Sequence, residues 1–173
     1  VDSGINVYSE PVVGRTDRSQ ASLSSMVSFP VSGFRRCVNL CRNREYGFIN
    51  THFAVPSGPL GVLVASLFDI DHLLSIHGGD IFDPTKELSP HRHWYTREVV
   101  EFVIDRADSV LAQSTDTKRN AERYYDIDSD IDVVPLPYRP VDFTPRPRNE
   151  LGLDQETTYT ISVGRLVERK GFD

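Results

Sequence analysis

Several residue types are scarce in this chain, and each shortage narrows what it can be. Two cysteines, one methionine and one tryptophan are spread over 173 residues. Cys37 and Cys41 cannot complete a zinc site by themselves, and no histidine lies at ligand spacing beside them, so neither a structural metal centre nor a disulfide framework organises the fold. Reduced thiols are expected, neighbours on one face if the segment is helical. No run of eighteen uncharged apolar residues occurs, which leaves no stretch suited to a membrane-spanning helix. Lysine is rare: Lys86, Lys118 and Lys170 are the only ones among 19 basic residues, set against 25 acidic ones for a net charge of −6. That balance argues against a general nucleic-acid binder and against a polybasic membrane surface. The opening Val1-Asp2-Ser3-Gly4 has no initiator methionine, basic n-region or apolar h-region, so no signal peptide is expected and the chain reads as one that has lost its beginning.

What is present, 39% hydrophobic and 25% charged residues, is the composition of a globular domain. Ile5 to Val13 is expected to form a strand, and the Ser-, Gly- and Arg-rich stretch 14–33 a loop with at most a short helix. From Tyr46 onward the pattern sharpens. Strands are expected at 47–52, 72–77, 109–113 and 131–136. Between them lie an all-round apolar helix at 60–68, a long amphipathic one at about 89–107, and a third at 115–125 with Ser114 as its N-cap. Residues 137–154 contain four prolines and read as linker, and 157–163 opens a new strand. This alternation predicts an α/β protein with a Rossmann-like parallel sheet and helices on both faces. The expected domains are 1–139, a linker over 140–156, and the start of a second Rossmann-like domain at 157–173.

Ligands of such sheets bind beyond the carboxyl ends of the strands, which gathers His52, His77-Gly78-Gly79-Asp80 and Ser114 on one rim. Two glycines directly after a strand allow close backbone approach to an anion or a sugar hydroxyl. His77 could contact a sugar or move a proton, and Asp80 could accept from hydroxyls or hold the loop. A plain turn with Asp80 as its cap is the alternative. His52 ends a strand and suits either a ligand contact or a backbone-bonded structural role. Gly164-Arg165 and Lys170-Gly171 follow the last strand. A planar fork and a point charge five residues apart could neutralise a diphosphate, although a surface charge run has the same spacing. His91 and His93 do not share a helix face and His72 is assigned nothing. Asp126, Asp128, Asp130 and Asp132 lack the glycine and glutamate of a calcium loop and read as a solvated turn. No metal site is expected.

Five segments taken in order resemble the family 4 glycosyltransferases of GT-B fold: FINTHFAVPSGPLGVLVA, LLSIHGGDIFDP, ADSVLAQSTDTKRNAERYY, IDVVPLPYRPVDFTP and ISVGRLVERKGFD. The resemblance implies a retaining transfer of sugar from a nucleotide-diphosphate sugar to an acceptor hydroxyl, in a cleft between two Rossmann-like domains. It implies that Arg165 and Lys170 bind the donor diphosphate beside Gly164 without a metal or other cofactor. It places His77 near the transferred sugar and has Asp80 help shape the rim on which the sheet geometry gathers Gly78, Gly79, Ser114 and His52. The acceptor would be a saccharide, a lipid-linked glycan or a small molecule. The family's glycine-rich loop has no counterpart and its Glu-x7-Glu signature would lie beyond Asp173, so the chain is expected to be an internal slice that does not transfer sugar alone. A cytoplasmic protein is expected, at the inner face of the membrane if it meets one. Arg35, Arg36, Arg42 and Arg44 read as a solvated face, with a remnant of a membrane-contacting surface as the alternative. A non-catalytic nucleotide-sugar or carbohydrate-binding module stays open as a second reading, and a two-domain phosphorylase or epimerase as a third.

Overall fold

The computed structural model describes residues 4–13, 23–87, 89–138, 140, 143–164 and 171–172. The chain divides into two compact units, Val1–Pro135 and Leu136–Asp173. In the first, helix α1 (Leu23–Asn43) precedes a regular alternation of β1 (Phe48–His52), α2 (Gly58–Phe68), β2 (Asp71–Ile76), α3 (Trp94–Arg106), β3 (Ser109–Ala112), α4 (Thr115–Tyr124) and β4 (Ile131–Val133). The four strands form one parallel sheet in the order β1-β2-β3-β4. This is the Rossmann-like α/β architecture anticipated from the alternation.

The order never reverses among the described strands. Right-handed crossovers therefore carry α2, α3 and α4 to the same face. The crossovers supply one of the two helical layers expected from the sequence. Burial follows this arrangement: Leu74, Ile76, Val110, Ala112 and Ile131 join Val62, Val100, Val103, Ile104 and Ala121 in a single core. The alternate positions, Asn50, His52, Leu73, Ser75 and Leu111, point to the other face and stay exposed or half-buried.

Local chemistry explains most element ends. Pro59 occupies the first turn of α2, where its missing N–H costs nothing, and Asp69 closes the helix in a left-handed conformation at φ 54°. Ser114 caps α4 by accepting from the Thr117 N–H at 3.1 Å. The expected helix 89–107 is divided. Pro90–Arg92 forms a 3₁₀ turn, His93 is extended, and the α-helix starts at Trp94. Lys118 Nζ donates to the Ile131 carbonyl at 2.7 Å and so fastens α4 to β4.

Three expectations need correction. Residues 23–33 are helical rather than loop. Phe29, Cys37, Leu40 and Cys41 recur at helical spacing and line a groove with Leu60 and Val64 of α2. Gly33 brings the α1 backbone so near that a Cβ there would lie 2.9 Å from Leu60 Cδ2. This packing outweighs the poor helix propensity of the serines, Gly33 and Pro30. Residues 5–13 form no strand; Pro11 cannot donate to a ladder, and the segment is tied to α1 instead. Glu10 pairs with Arg36 at 2.5 Å, and Val13 exchanges hydrogen bonds with the Ser28 hydroxyl. Residues 157–163 are likewise not a strand. No neighbouring strand pairs with them among the described residues, and Thr157 is committed to a local turn. Its N–H donates to Asp154 Oδ1 at 2.9 Å and its carbonyl accepts from Arg148 Nη1 at 3.0 Å.

His72 is 1% exposed and its Nε2 lies 2.7 Å from Thr51 Oγ1, beneath Gly61 of α2. Two expected outcomes follow from this packing. A methyl at Gly61 would collide with Thr51 and His72, so Gly61→Ala reverses the usual helical gain and destabilises by about 1–3 kcal/mol in urea unfolding. Burial also holds the His72 imidazole below its ordinary value, only partly opposed by the Asp108 carboxylate. The unfolded chain therefore binds the proton first, and stability falls as pH drops below about 6.5. In His72→Leu the slope of unfolding free energy between about pH 7 and 5 becomes shallower.

Candidate functional site

The site is built where β1 and β2 end. Asp80 is 5% exposed, and its carboxylate joins the loops that leave these strands. Oδ2 accepts from the Ala54 N–H at 2.7 Å and Oδ1 from the His77 N–H at 2.9 Å. Desolvation raises the Asp80 carboxyl above its ordinary value, while the donated N–H bonds and the nearby His77 pull it down. Of the two roles open to Asp80 in the sequence, holding the loop is the one its geometry shows.

Gly78 makes the turn possible. Its φ of +93° is a conformation that side chains resist, and its carbonyl then accepts from both Ile81 N–H at 2.9 Å and Phe82 N–H at 2.7 Å. Space is not the reason for glycine there: a Cβ would meet only Thr117 Oγ1 at 3.4 Å and Gln113 Nε2 at 3.8 Å. Beside Gly79 stands Lys86, whose ammonium would lie 3.7 Å from a Cβ at that position. The Tyr125 hydroxyl, at the end of α4, donates to the Ile81 carbonyl at 2.6 Å and pins the far side of the turn.

Two histidines meet on this base. His52 Nδ1 and His77 Nε2 are 2.8 Å apart, although 25 residues separate them in sequence. Phe53 adopts φ 76°, a strained conformation for a bulky residue, which lays its ring 4.6 Å from that of His77. The Ser57 hydroxyl donates to the His52 carbonyl and fixes the loop entry. On the other side His77 Nδ1 lies 3.3 Å from Gln113 Oε1, while Gln113 Nε2 donates to the His77 carbonyl. His52 and Phe53 also line a groove of about 730 Å³, together with Phe48, Leu60 and Leu40.

The structure thus brings together His52, His77, Gly78, Gly79 and Asp80. Ser114 is adjacent in chain to Gln113, but its hydroxyl is engaged by the Thr117 N–H and by Thr117 Oγ1 at 3.0 Å, as a cap. Gly164 lies in the second unit and is exposed, and Arg165 and Lys170 lie outside the described residues. Gln113 went unremarked in the sequence because nothing local marks it. Its position as the residue after β3, opposite His77 in the continued register, was the available signal. Elsewhere, His91 Nδ1 contacts Ser89 Oγ at 2.8 Å and His93 Nε2 donates to the Glu87 carbonyl at 3.0 Å. The aspartates from 126 to 132 are exposed, and among the described residues no group of three metal-binding side chains forms.

If Asp80 works as the loop clasp, Asp80→Asn turns one acceptor into a donor facing a buried N–H. The expected loss is about 1–3 kcal/mol in urea denaturation. An unchanged midpoint would leave Asp80 a rim group without a clasping role.

Comparison with known proteins adds to this geometry. Over 130 residues, covering 72% of the chain and 32% of the relative, it is 29% identical to TuaC of Bacillus subtilis (strain 168), named as a teichuronic acid biosynthesis glycosyltransferase. Over 179 aligned positions, covering 98% of the chain and 41% of the relative, it is 26% identical to the D-inositol 3-phosphate glycosyltransferase of Corynebacterium aurimucosum (strain ATCC 700975 / DSM 44827 / CIP 107346 / CN-1). The chain therefore spans about a third to two fifths of the length of these curated relatives. The sequence pattern of Glycosyltransferase Family 4 matches residues 6–140, which include the whole sheet and both rim histidines, and the chain belongs to that family.

Proposed function

We propose that the protein transfers a sugar from a nucleotide-diphosphate sugar to an acceptor hydroxyl, with retention of configuration at the transferred carbon. The observation that carries this reading is His77 on a rigid turn at the carboxyl rim of a Family 4 sheet. Both its backbone and its ring are held before any substrate arrives. Preorganised groups of this kind lower a barrier because their orientation costs nothing at the moment of reaction.

In this reading His77 lies against the transferred sugar, while Gly78 and Gly79 let the backbone come close to it. Arg165 and Lys170 neutralise the diphosphate beside Gly164 and stabilise the departing nucleotide, without a bound metal. The leaving phosphate assists attack on the same face of the sugar, so no protein nucleophile is required. The acceptor is a saccharide, a lipid-linked glycan or a small molecule. Among the described residues no helix is long and apolar enough to cross a membrane. We place the reaction on the cytoplasmic side, with peripheral contact to a membrane where the acceptor is anchored in one.

The full-length protein, incubated with nucleotide sugars and candidate acceptors, is expected to form a product whose anomeric configuration, read by NMR, matches that of the donor. His77→Ala should lower kcat/KM about 100-fold or more while leaving the unfolding midpoint close to wild type. Binding of nucleotide sugar with no transfer to any acceptor would replace this reading with that of a binding module. An inverted product would overturn retention.

A further inference from the structure

The placement of His77 at the transferred sugar is the reading just given, and the claim that follows rests on it for its catalytic meaning; how the ring is held follows from hydrogen bonds alone. We propose that Gln113 is a positioning residue for His77, fixing the imidazole in the Nδ1–H tautomer so that Nε2 meets a substrate hydroxyl as an acceptor.

The direction of each bond can be worked out in turn. A backbone carbonyl only accepts, so the Gln113 group facing the His77 carbonyl is its NH₂. The other end of the same amide, Oε1, must then face His77 Nδ1, at 3.3 Å. An amide oxygen only accepts, so Nδ1 carries the proton. Gln113 thus grips His77 twice, once on the main chain and once on the ring. In the neutral imidazole the remaining nitrogen, Nε2, is a bare acceptor.

The rest of the network obeys the same direction. His52 Nδ1, 2.8 Å from His77 Nε2, must be the donor of that bond. His52 Nε2 is then an acceptor, and Asn50 Nδ2 stands 3.5 Å away, at the limit of hydrogen-bond range. Asn50 presents its oxygen to the Ser75 hydroxyl at 3.1 Å, which leaves its NH₂ for His52. From Ser75 to Gln113, every group has a role consistent with its neighbours. His52 is exposed and weakly held on its outer side, whereas His77 is half-buried, clasped by Gln113 and packed on Phe53. The His52 N–H therefore marks the place where a sugar or acceptor hydroxyl would donate.

The first test needs no substrate. Long-range proton–nitrogen correlation spectra of the histidine-labelled chain at about pH 8, where imidazoles are neutral, report which nitrogen carries the proton. Wild type is expected to show His77 protonated at Nδ1 and bare at Nε2. Gln113→Leu should give a mixture or a switch to Nε2–H. Gln113→Glu, which can still accept from Nδ1–H, should keep the wild-type tautomer. An Nε2–H form in wild type, or a Gln113→Leu spectrum identical to wild type, overturns the proposal. If Gln113→Leu does not fold, the wild-type and Gln113→Glu spectra decide it, because Nε2–H in either is fatal. In the full-length protein Gln113→Leu should lower kcat about 10–100-fold with KM little changed, and Gln113→Glu should recover part of that loss. A failed transferase reading would appear as absent transfer with the tautomer result intact, so the two failures are distinguishable.

Discussion

The rim of this protein hangs on one carboxylate. Asp80 reaches from the turn after β2 to the Ala54 N–H in the loop after β1, and its second oxygen holds the His77 N–H on its own turn. Burying a carboxylate costs several kcal/mol, and each charge-assisted bond to an N–H returns about 1.5–3 kcal/mol. The two bonds offset only part of the burial, which is why the carboxyl stays above its ordinary value. What the clasp yields is geometry. His52 ends β1 just before the loop that carries Ala54, His77 and Asp80 lie on the turn after β2, and the imidazole contact at 2.8 Å exists only while these segments keep their spacing. The strained Phe53 and the left-handed Gly78 are tolerable for the same reason, because the surrounding bonds over-determine them.

Much of the sheet could be read from the sequence because its signals are local. The apolar run before Asp69, the serine that caps α4 and the polar residues at or just after the ends of β1, β2 and β3 all act within a few positions. What escaped was decided at a distance. The helical α1 contains Pro30 and several serines, and it forms because Phe29, Cys37, Leu40 and Gly33 face α2. Residues 5–13 alternate like a strand yet are bound to α1 by Glu10 and Val13. The rim position of His77, Gly78 and Gly79 was legible from a glycine pair directly after a strand, and that of His52 from its place at a strand end. Gln113 was not, since its meaning depends on a residue 36 positions earlier. Asp80 could be read only as one of two roles, and its burial separates them.

The family assignment and the site geometry bear on the same part of the protein. The Family 4 match covers residues 6–140, and the described rim lies wholly within it. The second unit contributes a 3₁₀ turn at Arg148–Leu151, a following loop held by Arg148 and Asp154, and an exposed Gly164. The histidine rim belongs to the first unit, whereas Arg165 and Lys170 fall within the sequence range of the second.

The sheet also acts as a partition. Thr51 and His52 are adjacent in sequence, yet Thr51 faces the helices and contacts His72, while His52 faces away from them toward His77. Ser75, Asn50, His52, His77 and Gln113 all occupy the alternate positions of β1, β2 and β3 or their continuations. Val62, Leu74, Val103 and Ile104 fill the opposite side. Sequence drift in the helix-facing layer can therefore proceed by compensating changes of volume without rewiring the polar string. The two faces form separate inheritances, one constrained by packing and the other by the direction of hydrogen bonds.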